Sequence, residues 1–161
     1  MKKFLCAALA LLMLVSVLAG CGGNKTESDT AQETTFDGDL NEYLAQVIDG
    51  AVDPEMALEN IEVPEDLFSW VFFIDPVENA EAVASMPMIG SIPYTVGLIR
   101  LSDTESLENV REQIETNMDP RKWVCVEAEK TAVLRRGNLV LMAMGDTATV
   151  DKVTANFMAL K

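Results

Sequence analysis

Apolar positions fall into three regimes along the chain. Residues 4–19 form an uninterrupted run of sixteen apolar or small residues, and residues 22–35 show no apolar periodicity. From Leu40 onward, helical and strand-like periods alternate. Leu40, Tyr43, Leu44 and Val47 share one helical face, with Asp37 or Asp39 placed to cap its start and Asp49-Gly50 to end it. Asp53-Pro54-Glu55 carries the cap and first-turn proline of another start, which predicts a short helix with Leu58 and Ile61 on its apolar side. Pro64-Glu65-Asp66 opens a third helix, whose residues 67–74 include four aromatic side chains. That segment is expected to be core, with an exposed docking patch as the alternative.

After the break at Asp75-Pro76, residues 80–88 and 93–101 read as strands joined by residues 89–92. Residues 94–99 are nearly continuously apolar or β-branched, as a central strand requires. Ser102-x-x-Glu105 has the form of a capping box, and Leu107, Val110, Ile114 and Met118 follow at helical spacing until Asp119-Pro120. Residues 122–128, 131–134 and 139–144 read as further strands, and Arg136-Gly137-Asn138 suits a tight hairpin turn. Thr147 can cap a last helix with Val150, Val153, Phe157 and Leu160 inward. The expected fold is one α+β domain, without internal repeats: a mainly antiparallel sheet, helices packed on one face, preceded by short N-terminal helices.

The first regime changes the meaning of everything after it. Met1-Lys2-Lys3 precedes the apolar run, which is shorter than the roughly 20 residues of a spanning helix, so it reads as a secretory signal. Leu18-Ala19-Gly20-Cys21 resembles the lipobox of bacterial lipoproteins. The resemblance implies cleavage between Gly20 and Cys21, with a lipid attached through the Cys21 thiol. Two or three acyl chains anchor stably where one is marginal. The expected organisation is therefore a signal over residues 1–20, a lipidated cysteine and disordered tether over 21–36, and a domain over 37–161. A flexible tether of about 15 residues spans on the order of 20 Å. Cys6 leaves with the signal and Cys21 is consumed by lipid, so Cys125 remains without a disulfide partner in the mature chain. Within its expected strand, Cys125 is read as a small buried or half-buried hydrophobe rather than a reactive thiol.

Charge divides unevenly. Losing Lys2 and Lys3 takes the formal charge from −14 to −16; residues 22–99 hold sixteen acids and one base, and residues 100–161 hold ten acids and nine bases. Such a chain does not gain nucleic acid or anionic lipid by bulk electrostatics. Residues 37–42 place oxygen ligands at alternating positions, but Glu42 and Ile48 stand where a calcium loop needs glycine and glutamate.

Histidine is absent, which removes Ser-His and Cys-His nucleophile pairs and the usual zinc ligands. Phosphate loops, nucleophile elbows and CxxC pairs are also missing. A site built from carboxylates alone stays open, because glycoside hydrolysis needs only two. Met86, Met88, Met142 and Met144 pair up on strand faces and could offer thioethers to Cu(I), although methionine in a strand is more often core. Arg121-Lys122 and Arg135-Arg136 are adjacent basic pairs that could contact a phosphate or carboxylate, or lie solvated in turns.

From about residue 67 to 160 the order of features resembles a family of small bacterial lipoproteins carrying a domain of unknown function. The residues that carry it are Phe73-Ile74-Asp75-Pro76, Glu81-Ala82-Val83, Met86-Pro87-Met88, the apolar strand over 96–101, the helix over 105–117, and the segment 137–142. The resemblance implies a lipoprotein of Gram-positive-type bacteria with a compact α/β domain, and no activity or catalytic residue. The expectation from the whole chain is a lipid-anchored extracytoplasmic protein that is not an enzyme. It would bind a protein of the envelope or a small ligand, without a cofactor and without nucleic acid. The alternatives are a carboxylate-based envelope hydrolase and a methionine-based metal binder.

Overall fold

A computed structural model describes residues 34–161, so the expected signal, cleavage and lipidation at Gly20 and Cys21, and most of the tether, lie outside the described residues. The elements follow in the order α1 (Leu40–Ile48), β1 (Leu58–Glu62), α2 (Glu65–Phe72), β2 (Glu81–Pro87), β3 (Thr95–Arg100), α3 (Thr104–Asn117), β4 (Lys130–Arg136), β5 (Leu139–Gly145) and α4 (Thr147–Ala159). All strand pairs are antiparallel, in the order β1-β2-β3-β5-β4. This is the expected α+β domain. Among the described residues, no helix is long and apolar enough to cross a membrane.

The helices lie on both faces of the sheet, not on one as expected. Strand residues alternate between faces. Val96, Leu98, Leu139, Leu141 and Ala143 pack with Leu44, Val47, Val150, Val153 and Phe157 of α1 and α4. Ile99, Val140, Met142 and Met144 pack with Phe68, Val71 and Phe72 of α2 and Leu107, Val110 and Ile114 of α3. Every residue of β5 is buried, which two apolar layers require. Gly97 permits the close approach of α2: a Cβ there would stand 2.6 Å from the Phe72 ring.

Local chemistry sets the boundaries. Asp39 Oδ1 accepts from Asn41 N and caps α1. The caps of α3 and α4 are Asp103 and Asp146, one residue away from the serine and threonine that the pattern suggested. Leu58 and Ile61 lie on an edge strand rather than a helix; Asp53 instead closes a turn by accepting from Glu55 N. Gly137, at φ +56, takes the first position of the two-residue β4–β5 turn, where glycine is favoured. Residues 118–129 form a loop in place of the expected strand over 122–128.

Phe36, expected within the tether, belongs to the core and is only 1% exposed. Its N–H donates to Asn138 Oδ1 at 2.8 Å, and its carbonyl accepts from Asn138 Nδ2 at 3.2 Å. Arg100 Nη1 donates to the carbonyls of Phe36 and Gly38. The segment entering the domain is thus strapped across the β4–β5 turn.

Candidate functional site

The geometry separates the two basic pairs. Arg135 and Arg136 are consecutive on β4, so their side chains leave opposite faces. Arg136 Nη1 donates to the carbonyls of Phe157 at 3.1 Å and Leu160 at 2.6 Å, and closes the C-terminal end of α4. Arg135 Nε reaches the Gly137 carbonyl at 3.4 Å. Both are held by the fold around the turn.

Lys122 is in a different setting. Beyond α3, Asp119 Oδ1 accepts from Arg121 N, Pro120 O accepts from Ala128 N, and Trp123 and Ala128 are buried. That closure presses Lys122 against α2. Its Nζ lies 4.1 Å from the centre of the Trp70 ring, 5.2 Å from Phe73 and 5.3 Å from Trp123. The ammonium also donates to the Trp70 carbonyl at 3.3 Å. No carboxylate pairs with it among the described residues. Burial pushes its pKa down to about 8. Trp123 turns inward with Val126, which leaves Val124 81% exposed and Cys125 exposed at φ +67. Cys125 is therefore neither on a strand nor buried.

The aromatic run over 67–74 divides by helical period. Phe68, Val71, Phe72 and Ile74 fill the core, whereas Leu67 is 38% and Trp70 52% exposed. Leu67 and Trp70, one helical turn apart, and Val124, two residues from Lys122, thus add exposed apolar surface near a partly dehydrated cation. Sequence reasoning singled out Lys122 and, separately, the aromatic run with a docking patch as its alternative, but not their juxtaposition, because Trp70 and Lys122 are 52 positions apart.

At the other end of the sheet, a cleft of about 470 Å³ is lined by Asp39, Asn41, Glu62, Glu81, Val63 and Arg100 among others. Arg100 Nη2 donates to Glu81 Oε2 at 2.5 Å. No site role was read for Arg100, although a charge closing an otherwise apolar strand was a usable signal. Three of the four methionines share one core, and the fourth lies on the surface. Met142 and Met144 are fully enclosed, Met86 packs at the edge of the same core, and Met88 is 70% exposed. Among the described residues, no group of three or more Cys, Asp or Glu is arranged to hold a metal ion. No protein-family model, curated protein or solved structure matches the chain.

Proposed function

We propose that the chain is a lipid-anchored extracytoplasmic protein that acts by binding rather than catalysis, with Leu67, Trp70 and Val124 around Lys122 as its binding face. The observation that carries the binding reading is Trp70, half exposed on a helix whose opposite side is core. Tryptophan dominates interface energetics when a partner covers it, and folded domains seldom expose contiguous apolar surface without use. Side chains standing out from the surface suit the broad face of a protein better than the enclosure of a small ligand. The anchor rests on Leu18-Ala19-Gly20-Cys21. A carboxylate-based envelope hydrolase is the second reading, supported by Asp39, Glu62 and Glu81 around the cleft.

Photo-crosslinking on intact cells separates them. A crosslinking residue at Val124 captures a protein, and the product disappears in a Trp70→Ala background, while one at Asn41 in the cleft captures none. Capture at Asn41 alone, or capture at Val124 that ignores Trp70, overturns the binding face. Cys21→Ser moves the protein from the membrane to the soluble fraction; full retention refutes the anchor.

A further inference from the structure

Resting on the reading of the Trp70 face as a docking surface, we propose that its occupant is a partner-protein segment in which an acidic side chain stands between apolar ones. The carboxylate pairs with Lys122, and its neighbours cover Leu67, Trp70 and Val124.

Charge complementarity carries the argument. The chain has 26 acidic against 12 basic residues, so acids for pairing are plentiful. Arg100, Arg121 and Lys130 each pair with one, and Arg111 with three. Lys122 has three rings and one carbonyl instead. An ammonium has three donors, and rings stabilise its charge without accepting as a carboxylate does. The cost of removing Lys122 from water is already incurred in the free protein. An arriving carboxylate therefore meets a positioned cation and forms a short charge-assisted hydrogen bond. Leu67, Trp70 and Val124 beside it keep water out once covered, as the rim of a hot spot does.

Placement and charge favour a protein over a bilayer. Thr34 lies against Gly137 at the β4–β5 turn, at the end where Arg100 pairs with Leu139. From that end α3 runs its 14 residues, about 21 Å, before Asn117 Nδ2 reaches the Phe73 carbonyl beside the docking face. The face thus lies at the end of the sheet away from where the chain enters the domain. An anionic bilayer meets the formal charge of −14 across a broad surface, whereas a single carboxylate flanked by apolar residues meets Lys122 locally.

The test follows the Trp70 and Trp123 indole N–H signals by NMR in the purified full chain. The probes are the capped tripeptides Leu-Glu-Leu and Leu-Gln-Leu, and phosphatidylglycerol vesicles. The expected result is that the glutamate peptide shifts the Trp70 signal with an affinity at least about tenfold above the glutamine peptide. That preference disappears in Lys122→Met and persists in Lys122→Arg. Equal affinities of the two peptides at Trp70 refute the acidic occupant while leaving the docking face standing. No Trp70 response to either peptide refutes both. A response to vesicles and not to peptides assigns the face to lipid, and a Trp70 shift that grows with protein concentration alone assigns it to a second copy; either overturns the proposal.

Discussion

Replacing Lys122 by methionine keeps most of the side chain's volume and removes the charge from among the rings. The ordinary value for this group is 10.5, and burial holds it at about 8 in the native protein. Between those values the unfolded chain carries a proton on this side chain that the native chain lacks, so native stability rises with pH across the window. Below about pH 8 both states are protonated, and the whole cost of confining the charge is present. At about 1.4 kcal/mol per pH unit the gap corresponds to roughly 3 kcal/mol. The side chain keeps some contact with water, and the Trp70 face and carbonyl return about 1 kcal/mol, which leaves a net cost of about 1–2 kcal/mol. Lys122→Met is accordingly expected to be more stable than the natural protein by about 1–2 kcal/mol at pH 7. The advantage shrinks through pH 9 and falls to about a quarter of its pH 7 value at pH 10. Urea unfolding followed by tryptophan fluorescence, at intervals from pH 7 to 10 with Cys125 kept reduced, measures it. Burial pushes the Tyr94 hydroxyl up to about 12, so unfolded-state ionisation weakens both proteins alike above pH 10, and the comparison ends there. A variant that is less stable at pH 7, or a difference independent of pH, refutes the reasoning: the rings would then fully compensate the ammonium.

Three further outcomes test the packing. Gly97→Ala drives a methyl group to within 2.6 Å of the Phe72 ring and is expected to cost about 1–3 kcal/mol in urea unfolding, with Phe72→Leu recovering much of it in the double variant. Asn138→Ala leaves the Phe36 N–H without its side-chain partner and the Phe36 carbonyl with Arg100 alone, which costs about 2–3 kcal/mol and speeds limited proteolysis of residues 34–39. Asp146→Ala removes the cap of α4, where Asp146 Oδ1 accepts from Thr149 N, and costs about 1 kcal/mol at pH 7. Its hydrogen bonds to Thr149 hold the Asp146 carboxyl below its ordinary 3.8. The cap's contribution is therefore present above that value and lost as pH falls through the native-state one, so the two proteins converge in an acid titration.

Regular periods made the architecture legible, and contacts remote in sequence hid the rest. The apolar runs of β3 and β5 marked central strands correctly, and the same runs already implied cover on both faces, since a strand without a polar face has no side to give to water. Reading helices onto one face left Val140, Met142 and Met144 without a partner layer. Leu58 and Ile61, three apart, share a helical face but lie on opposite faces of the edge strand, each against a different apolar layer, and Asp53 next to Pro54 serves a turn as readily as a cap. Residues 122–128 alternate like a strand, but the Ala128 N–H is satisfied by Pro120 O, and Cys125 at φ +67 leaves the extended region. Lys122 was visible as half of a basic pair. Its character comes from Trp70 and Phe73, which only the packing of α2 against the α3–β4 loop brings to it.

In the proposed reading, the entering chain and the docking face fall at opposite ends of the sheet. At one end the entering chain is fixed at three points: Phe36 in the core, the Asn138 side chain on its backbone, and Arg100 on the carbonyls of Phe36 and Gly38. Arg100 lies on the central strand β3, and Asn138 lies in the turn that joins the edge strand β4 to β5. At the other end, α2 and the α3–β4 loop rest on the same central strands through Phe72 against Gly97 and Trp123 in the core. The Asn138→Ala variant separates the two ends experimentally. It should loosen the strap and leave the Trp70 and Trp123 indole signals where they are, and a shift of those signals would mean that the strap and the docking face form one cooperative unit.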